Sequence, residues 1–128
     1  MREEVIMATI MVIDDDANIR AVLKYRFEKE HYTVHLARNG LEAVKEVDGQ
    51  QPDLIILDML MPEMDGIAFL EQLRGNPRTG SIPVIVLTTL RRGPQWQRTQ
   101  HLGVEDWVVK PFSPRRLMER VREVLNGE

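Results

Sequence analysis

A chain of 128 residues, 43% of them hydrophobic, fits one domain near the commonest size and can bury a core without covalent staples. The absence of cysteine excludes disulfides and thiolate metal sites, and a net charge of −3 from seventeen basic and twenty acidic side chains is too weak for a nucleic-acid footprint. No apolar stretch approaches the length of a bilayer crossing, and His31, His35 and His101 lack the helical spacing of a zinc pair.

The amino end, Met1-Arg2-Glu3-Glu4, lacks the basic, apolar and small-residue order of a secretory signal, so residues 1–7 are expected to be an extension and the chain to be cytoplasmic. Ala8 to Ile13 is an apolar block of strand length, as expected when both faces of a parallel strand are covered. It ends in Asp14-Asp15-Asp16, of which Asp16 is read as the cap of a first helix bearing Ile19, Val22, Leu23 and Phe27. Thr33 to Ala37 alternates apolar and polar residues, which suits an edge strand with one wetter face. A second helix carries Leu41, Val44 and Val47, and Leu54 to Leu57 is the next continuous apolar block, ended by Asp58. Asp65 is positioned to cap a third helix with Ile67, Phe69, Leu70 and Leu73. Val84 to Leu87 forms a fourth strand leading to Thr88. Pro94 to Leu102 is poorly patterned, with Trp96 its one large apolar anchor, and is expected to be a loosely held fourth helix. Trp107 to Val109 reads as the fifth strand, followed by Lys110-Pro111 and a last helix with Leu117, Val121, Val124 and Leu125.

Strands alternating with helices imply right-handed crossovers and an α/β class: a doubly wound (βα)5 three-layer sandwich with a flavodoxin-like parallel sheet in strand order 2-1-3-4-5. No repeat, low-complexity tract or linker interrupts the pattern, so residues 1–128 are read as one domain. In that order the carboxyl ends of strands one, three, four and five converge on the switch point, where open α/β sheets bind ligands. Asp14, Asp15, Asp58, Thr88 and Lys110 would meet there. Three acids held so close repel one another unless a cation is present, and a hard, oxygen-seeking ion such as Mg2+ answers that need. On this reading Asp15 and Asp58 ligate the metal, Asp14 holds a metal-bound water and the backbone carbonyl of Leu60 completes the protein's share. Asp58 is the nucleophile for phosphoryl transfer, Lys110 shares the developing charge and Thr88 offers a hydroxyl to a phosphoryl oxygen. Taken singly, each residue also has a structural reading: Thr88 can satisfy its hydroxyl locally, Lys110 can be a solvated strand-end lysine and Trp107 can be plain core.

The segments Met11-Val12-Ile13-Asp14-Asp15-Asp16, Leu57-Asp58-Met59-Leu60-Met61-Pro62, Val84-Ile85-Val86-Leu87-Thr88 and Trp107-Val108-Val109-Lys110-Pro111-Phe112 resemble, in order and spacing, the receiver domain of two-component response regulators of the chemotaxis-receiver type. The likeness covers nearly the whole chain, and Gly103-Val104-Glu105-Asp106-Trp107 stands where the family has a Gly-Ala-x-x-aromatic turn. It implies a phospho-accepting signalling domain, catalysing only its own phosphorylation and dephosphorylation, that takes a phosphoryl group onto Asp58 from a histidine kinase or a phosphotransfer protein with Mg2+ bound. A cis peptide at Lys110-Pro111 is also implied, since only an X-Pro bond tolerates that form cheaply. So is a switch in which Thr88 moves toward the phosphoryl group, Trp107 turns inward and the surface of helix four, strand five and helix five changes for a downstream effector or a fused output domain. Arg115, Arg116, Arg120 and Arg122, opposite Glu105 and Asp106, are similar to the salt-bridged dimer surface of receivers with winged-helix effectors and imply a phosphorylation-dependent homodimer. Thr89 stands where the family usually has a small residue and is expected to slow phosphorylation by small donors. Leu60 and Leu90, two residues after Asp58 and Thr88, make the rim apolar and imply a long-lived phosphoryl-aspartate.

Two other functions compete. Asp14-Asp15-Asp16-Ala17-Asn18 partly resembles the D-x-D-x-T motif of haloacid-dehalogenase-like phosphatases, which would make Asp14 the nucleophile, but Asn18 replaces the threonine and no acidic pair follows the lysine. A flavin or nucleotide carrier would need a phosphate-cradling turn after the first strand, and that turn is acidic here.

Overall fold

Four apolar strands and one alternating strand form a single parallel sheet, described for residues 7–127 in a computed structural model. The expected amino-terminal extension lies, but for Met7, outside the described residues. In chain order the elements are β1 (Thr9–Ile13), α1 (Ala17–Lys29), β2 (Thr33–Ala37), α2 (Gly40–Gln50), β3 (Leu54–Leu57), α3 (Gly66–Gly75), β4 (Val84–Thr88), α4 (Pro94–Thr99), a 3-10 turn (Gln100–Leu102), β5 (Val104–Val109) and α5 (Pro114–Asn126). The sheet order is β2-β1-β3-β4-β5, every pairing parallel, so the fold is the doubly wound α/β architecture that the alternation of elements predicts. Among the described residues no helix is long and apolar enough to cross a membrane.

The continuous apolar runs are explained by burial on both faces. Met11, Ile13, Ile55, Leu57 and Val86 point to the side covered by α2 and α3, whereas Ile10, Val12, Leu54, Ile56 and Leu87 point to the side covered by Leu23 and Phe27 of α1 and Leu117 and Val121 of α5. Each helix starts on a side-chain cap: Asp16 accepts from the amides of Asn18 and Ile19, Asn39 from Glu42, Asp65 from Ala68 and Ser113 from Arg116. The exception is α4, which follows Gly93 with no side-chain cap.

Three local expectations change. Strand five begins at Val104 rather than Trp107; its first half is polar because β5 is the second edge of the sheet, and a register shift beside Val84 leaves Glu105 as the extra residue. The fourth helix breaks into six α-helical residues and a 3-10 turn, where the Thr99 hydroxyl, in a fully buried residue, bonds back to the Trp96 carbonyl at 2.7 Å. In α2 it is Ala43, not Leu41, that faces the core; Leu41 is exposed.

Arg74 at the end of α3 joins two distant loops. Its guanidinium donates to the carbonyls of Gly80, Ile82, Leu102 and Gly103 at 3.1, 2.6, 2.7 and 3.3 Å, and burial lowers its pKa from the ordinary value. Gly66, the first residue of α3, packs against the strand-to-helix turn: a Cβ there would lie 2.8 Å from Met59 Cα and 3.1 Å from the Asp58 carbonyl oxygen. Backbone atoms cannot yield as a side-chain tip can. Gly66→Ala is therefore expected to lower unfolding free energy by about 1–3 kcal/mol, read as a shifted urea midpoint at constant slope.

Candidate functional site

The carboxyl ends of β1, β3, β4 and β5 carry the acids, the hydroxyl and the lysine singled out from the sequence. Asp58 prolongs β3 by one ladder bond, its amide donating to the Ile13 carbonyl at 3.0 Å, and its side chain is nearly buried. Oδ1 accepts from the Leu60 amide at 3.1 Å and Oδ2 lies 3.3 Å from Lys110 Nζ. Asp14 prolongs β1 in the same way, its amide donating to the Ala37 carbonyl. Its Oδ1 accepts from the Asp16 amide at 2.9 Å and its Oδ2 from Lys110 Nζ at 2.7 Å. One ammonium, itself 14% exposed, is thus shared by two buried carboxylates.

Asp15 is exposed, and carboxylate oxygens of Asp14, Asp15 and Asp58 all lie within 4.8 Å of one another. The lysine bonds two of the three. Burial raises the Asp14 carboxyl above its usual pKa, more than the Lys110 hydrogen bond lowers it. Burial alone would lower Lys110, but the hydrogen bond to Asp14 and the charges of Asp14 and Asp58 outweigh it and hold the ammonium above its usual range. The two shifts differ in origin: burial drives that of Asp14, and the hydrogen bond to Asp14 with the surrounding negative charge drives that of Lys110.

A pH dependence follows. The folded-state pKa of Asp14 exceeds the unfolded one, so its protonation favours folding; that contribution is full below the ordinary value of 3.8 and is lost as pH rises through the raised one. In chelator, the stability advantage of Asp14→Asn over the parent should therefore grow from about pH 4 to about pH 7. Urea denaturation at the two pH values checks it, and a constant difference would contradict it.

Thr88 is fully buried, its hydroxyl accepting from the Leu90 amide at 3.4 Å, and its carbonyl receives the Lys110 amide at 2.7 Å. Lys110-Pro111 is a cis peptide. Trp107 already lies inward in the core, 5% exposed, with its indole N–H donating to the Leu90 carbonyl at 2.9 Å. Both backbone polar groups of Leu90 are thus engaged, one by Thr88 and one by Trp107. Leu60 is 48% exposed and Leu90 partly so, which leaves an apolar rim. Asp16 caps α1 and takes no part in the acidic cluster.

One neighbour of the site was missed from the sequence. Arg20 reaches from α1 to the Asp14 carbonyl at 2.7 Å. Its partner is a backbone atom, so no residue pair in the sequence advertises the contact.

Comparison with known proteins gives one consistent result. The response regulator receiver domain model matches residues 10–122. The chain is 41% identical over 118 residues to the transcriptional regulatory protein ResD of Bacillus subtilis, covering 91% of this chain and 47% of that protein. Among solved structures it is similar to the chemotaxis protein CheY4 of Vibrio cholerae, with a TM-score of 0.86, 30% identity and coverage of 93% of this chain and 99% of that one. It is also similar to the receiver domain of a signal transduction histidine kinase from Syntrophus aciditrophicus, with a TM-score of 0.85, 38% identity and coverage of 94% and 91%. The chain spans about half the length of the curated relatives it matches.

Proposed function

Because the chain belongs to the response regulator receiver domain family, we propose that it accepts a phosphoryl group on Asp58 from a histidine kinase or a phosphotransfer protein, with Mg2+ bound, and reports the event through α4, β5 and α5 to an output partner. The observation that carries the reading is the buried Asp58 carboxylate held 3.3 Å from the Lys110 ammonium, among two further carboxylates.

The donor set fits the ion. Three clustered carboxylates with one ammonium between two of them form a hard-oxygen site with excess charge, and Asp15 and Asp58 would bind directly, Asp14 through a water and Leu60 by its carbonyl. When bound, the cation neutralises charge on the transferring phosphoryl oxygens. The chain's own groups do the rest. An Asp58 carboxylate oxygen attacks phosphorus, the bond from phosphorus to the donor's imidazole nitrogen breaks, and the imidazole departs with its electron pair. Lys110 shifts from the carboxylates onto a phosphoryl oxygen, and the Thr88 hydroxyl, which receives the Leu90 amide through a lone pair, keeps its proton to donate to another.

On this reading the output partner is an effector protein or a fused output domain. The Arg120–Asp106 pair is made within the chain at 3.1 Å, so a phosphorylation-dependent homodimer through β5 and α5 would exchange that contact for the partner's.

Mass spectrometry after incubation with acetyl phosphate and Mg2+ tests the reading: the acyl phosphate is expected on Asp58. Its appearance on Asp14 would favour the phosphatase-like alternative instead. Thr89 is exposed beside Thr88, and its bulk on the donor's approach is expected to cost about 1 kcal/mol of barrier, so Thr89→Ala should speed labelling by acetyl phosphate about fivefold. An equal rate in the two chains would remove Thr89 from the account.

A further inference from the structure

The turn between β1 and α1 carries two of the three clustered acids, and they are held in different ways. Asp14 is tied by its carboxylate to Lys110 at 2.7 Å and to the Asp16 amide at 2.9 Å. Asp15 is exposed and takes no share of the lysine, so its carboxylate stands where the backbone puts it. Two bonds set that backbone. The peptide unit before Asp15 contains the Asp14 carbonyl, which accepts from Arg20 Nη1 at 2.7 Å, and the unit after it contains the Asp16 amide, which donates to Asp14 Oδ1. Each peptide unit is planar, so a bond to one of its atoms orients the whole unit, and the pair brackets the Asp15 Cα. Arg20 is poorly placed for any other purpose. Its half-buried side chain runs back past the Asp16 cap to the amino end of α1, where the helix dipole disfavours a cation. Among the described residues no carboxylate lies within 4.0 Å of it, so the contact is not the by-product of an ion pair.

We propose that Arg20 is a positioning residue for the divalent cation: by bracing the peptide between Asp14 and Asp15 it holds the Asp15 carboxylate in one place, and so favours the ion with the stricter geometry, Mg2+ over Ca2+. This role rests on the reading of the three acids as a Mg2+ site. Brace and charge act in opposite directions. A guanidinium near the acids repels any cation, so on charge alone its removal would tighten the binding of Mg2+ and Ca2+ alike. Loss of a brace weakens binding, and weakens it most for Mg2+, which demands near-ideal octahedral geometry at short distances, whereas Ca2+ accepts irregular ligand sets. Groups that orient metal ligands contribute about ten- to a hundredfold to metal affinity, while the repulsion from a partly solvated charge fades as salt screens it. The brace therefore decides the sign.

Isothermal titration calorimetry of the unphosphorylated chain with MgCl2 and with CaCl2 tests the role, in the parent, Arg20→Met and Arg20→Lys. Arg20→Met should bind Mg2+ about tenfold more weakly and Ca2+ less than about threefold more weakly, and the loss for Mg2+ should persist at high salt. Arg20→Lys, which keeps a charge and a donor, should stay closer to the parent. Should Arg20→Met prove too unstable to titrate, Arg20→Gln carries the same expectation. Unchanged Mg2+ affinity, tighter binding of either ion, or equal weakening of both would each overturn the proposal. The failure of the underlying reading looks different. A parent chain that binds neither ion removes the metal site and the role of Arg20 together, whereas a parent that binds both ions and is matched by its variants removes only the latter. Asp58 labelling by acetyl phosphate is measured apart: its absence with Mg2+ bound defeats the phosphoacceptor reading, and the ion titrations still decide what Arg20 does.

Discussion

Asp58→Asn is expected to abolish phosphoryl incorporation from any donor, a loss of more than about a thousandfold, or about 4 kcal/mol of transition-state stabilisation. The amide keeps an oxygen to accept from Leu60, so the turn after β3 should survive, but it offers no anionic nucleophile and turns a poor face to Lys110. Removing one of three crowded carboxylates also relieves repulsion. The variant should therefore be at least as stable as the parent in chelator, so inactivity could not be assigned to unfolding. Intact-mass measurement after exposure to acetyl phosphate reads the result directly, and residual labelling would mean that another acid carries the phosphoryl group.

Lys110→Met should damage stability and chemistry together. The ammonium is a hydrogen-bonding partner of Asp14 Oδ2 and of Asp58 Oδ2, and the methionine would leave two nearly buried carboxylates facing each other. Breaking a fully buried ion pair costs about 3–5 kcal/mol; with Lys110 partly open to water the expected loss is about 1–3 kcal/mol in chelator. Added Mg2+ should recover a larger share of stability in the variant than in the parent, because more charge is left uncompensated. Labelling of Asp58 should slow about a hundredfold with the loss of one fixed cation at the phosphoryl oxygens. Lys110 has a raised folded-state pKa, so its contribution to stability is full below the ordinary value of 10.5 and disappears as pH rises through the raised one. Parent and variant should accordingly converge in strongly alkaline buffer. Urea denaturation with and without Mg2+ checks the first claim, and a variant as stable as the parent in chelator at neutral pH would refute it.

The sheet and most of the site were legible in the sequence because double-sided burial leaves its mark on every residue of a strand. Leu54 to Leu57 and Val84 to Leu87 are buried throughout, and the acids and hydroxyl that end such runs fall at the strand tips by construction. Strand β5 was harder to delimit, since an edge strand with a bulge tolerates Glu105 and Asp106 and the apolar run shrinks to its last residues. The division of the fourth helix was hidden because it depends on a hydroxyl-to-carbonyl bond at Thr99 that no periodicity encodes. Arg20 and the indole of Trp107 were opaque for a related reason: both bond to backbone carbonyls, which every residue has. Leu60 carries no side-chain signal for the carbonyl role proposed for it.

The guanidinium of Arg74 has a mechanical corollary. It rivets the carboxyl end of the α4 segment, at Leu102 and Gly103, to the loop below α3 by several bonds, whereas the opposite end, at Leu90, hangs on one indole bond and one weak hydroxyl bond. A displacement that spares the rivet would swing the segment like a door, with its hinge beside Gly103, already in the left-handed backbone region at φ 69°, and its free edge at Leu90, next to Thr88.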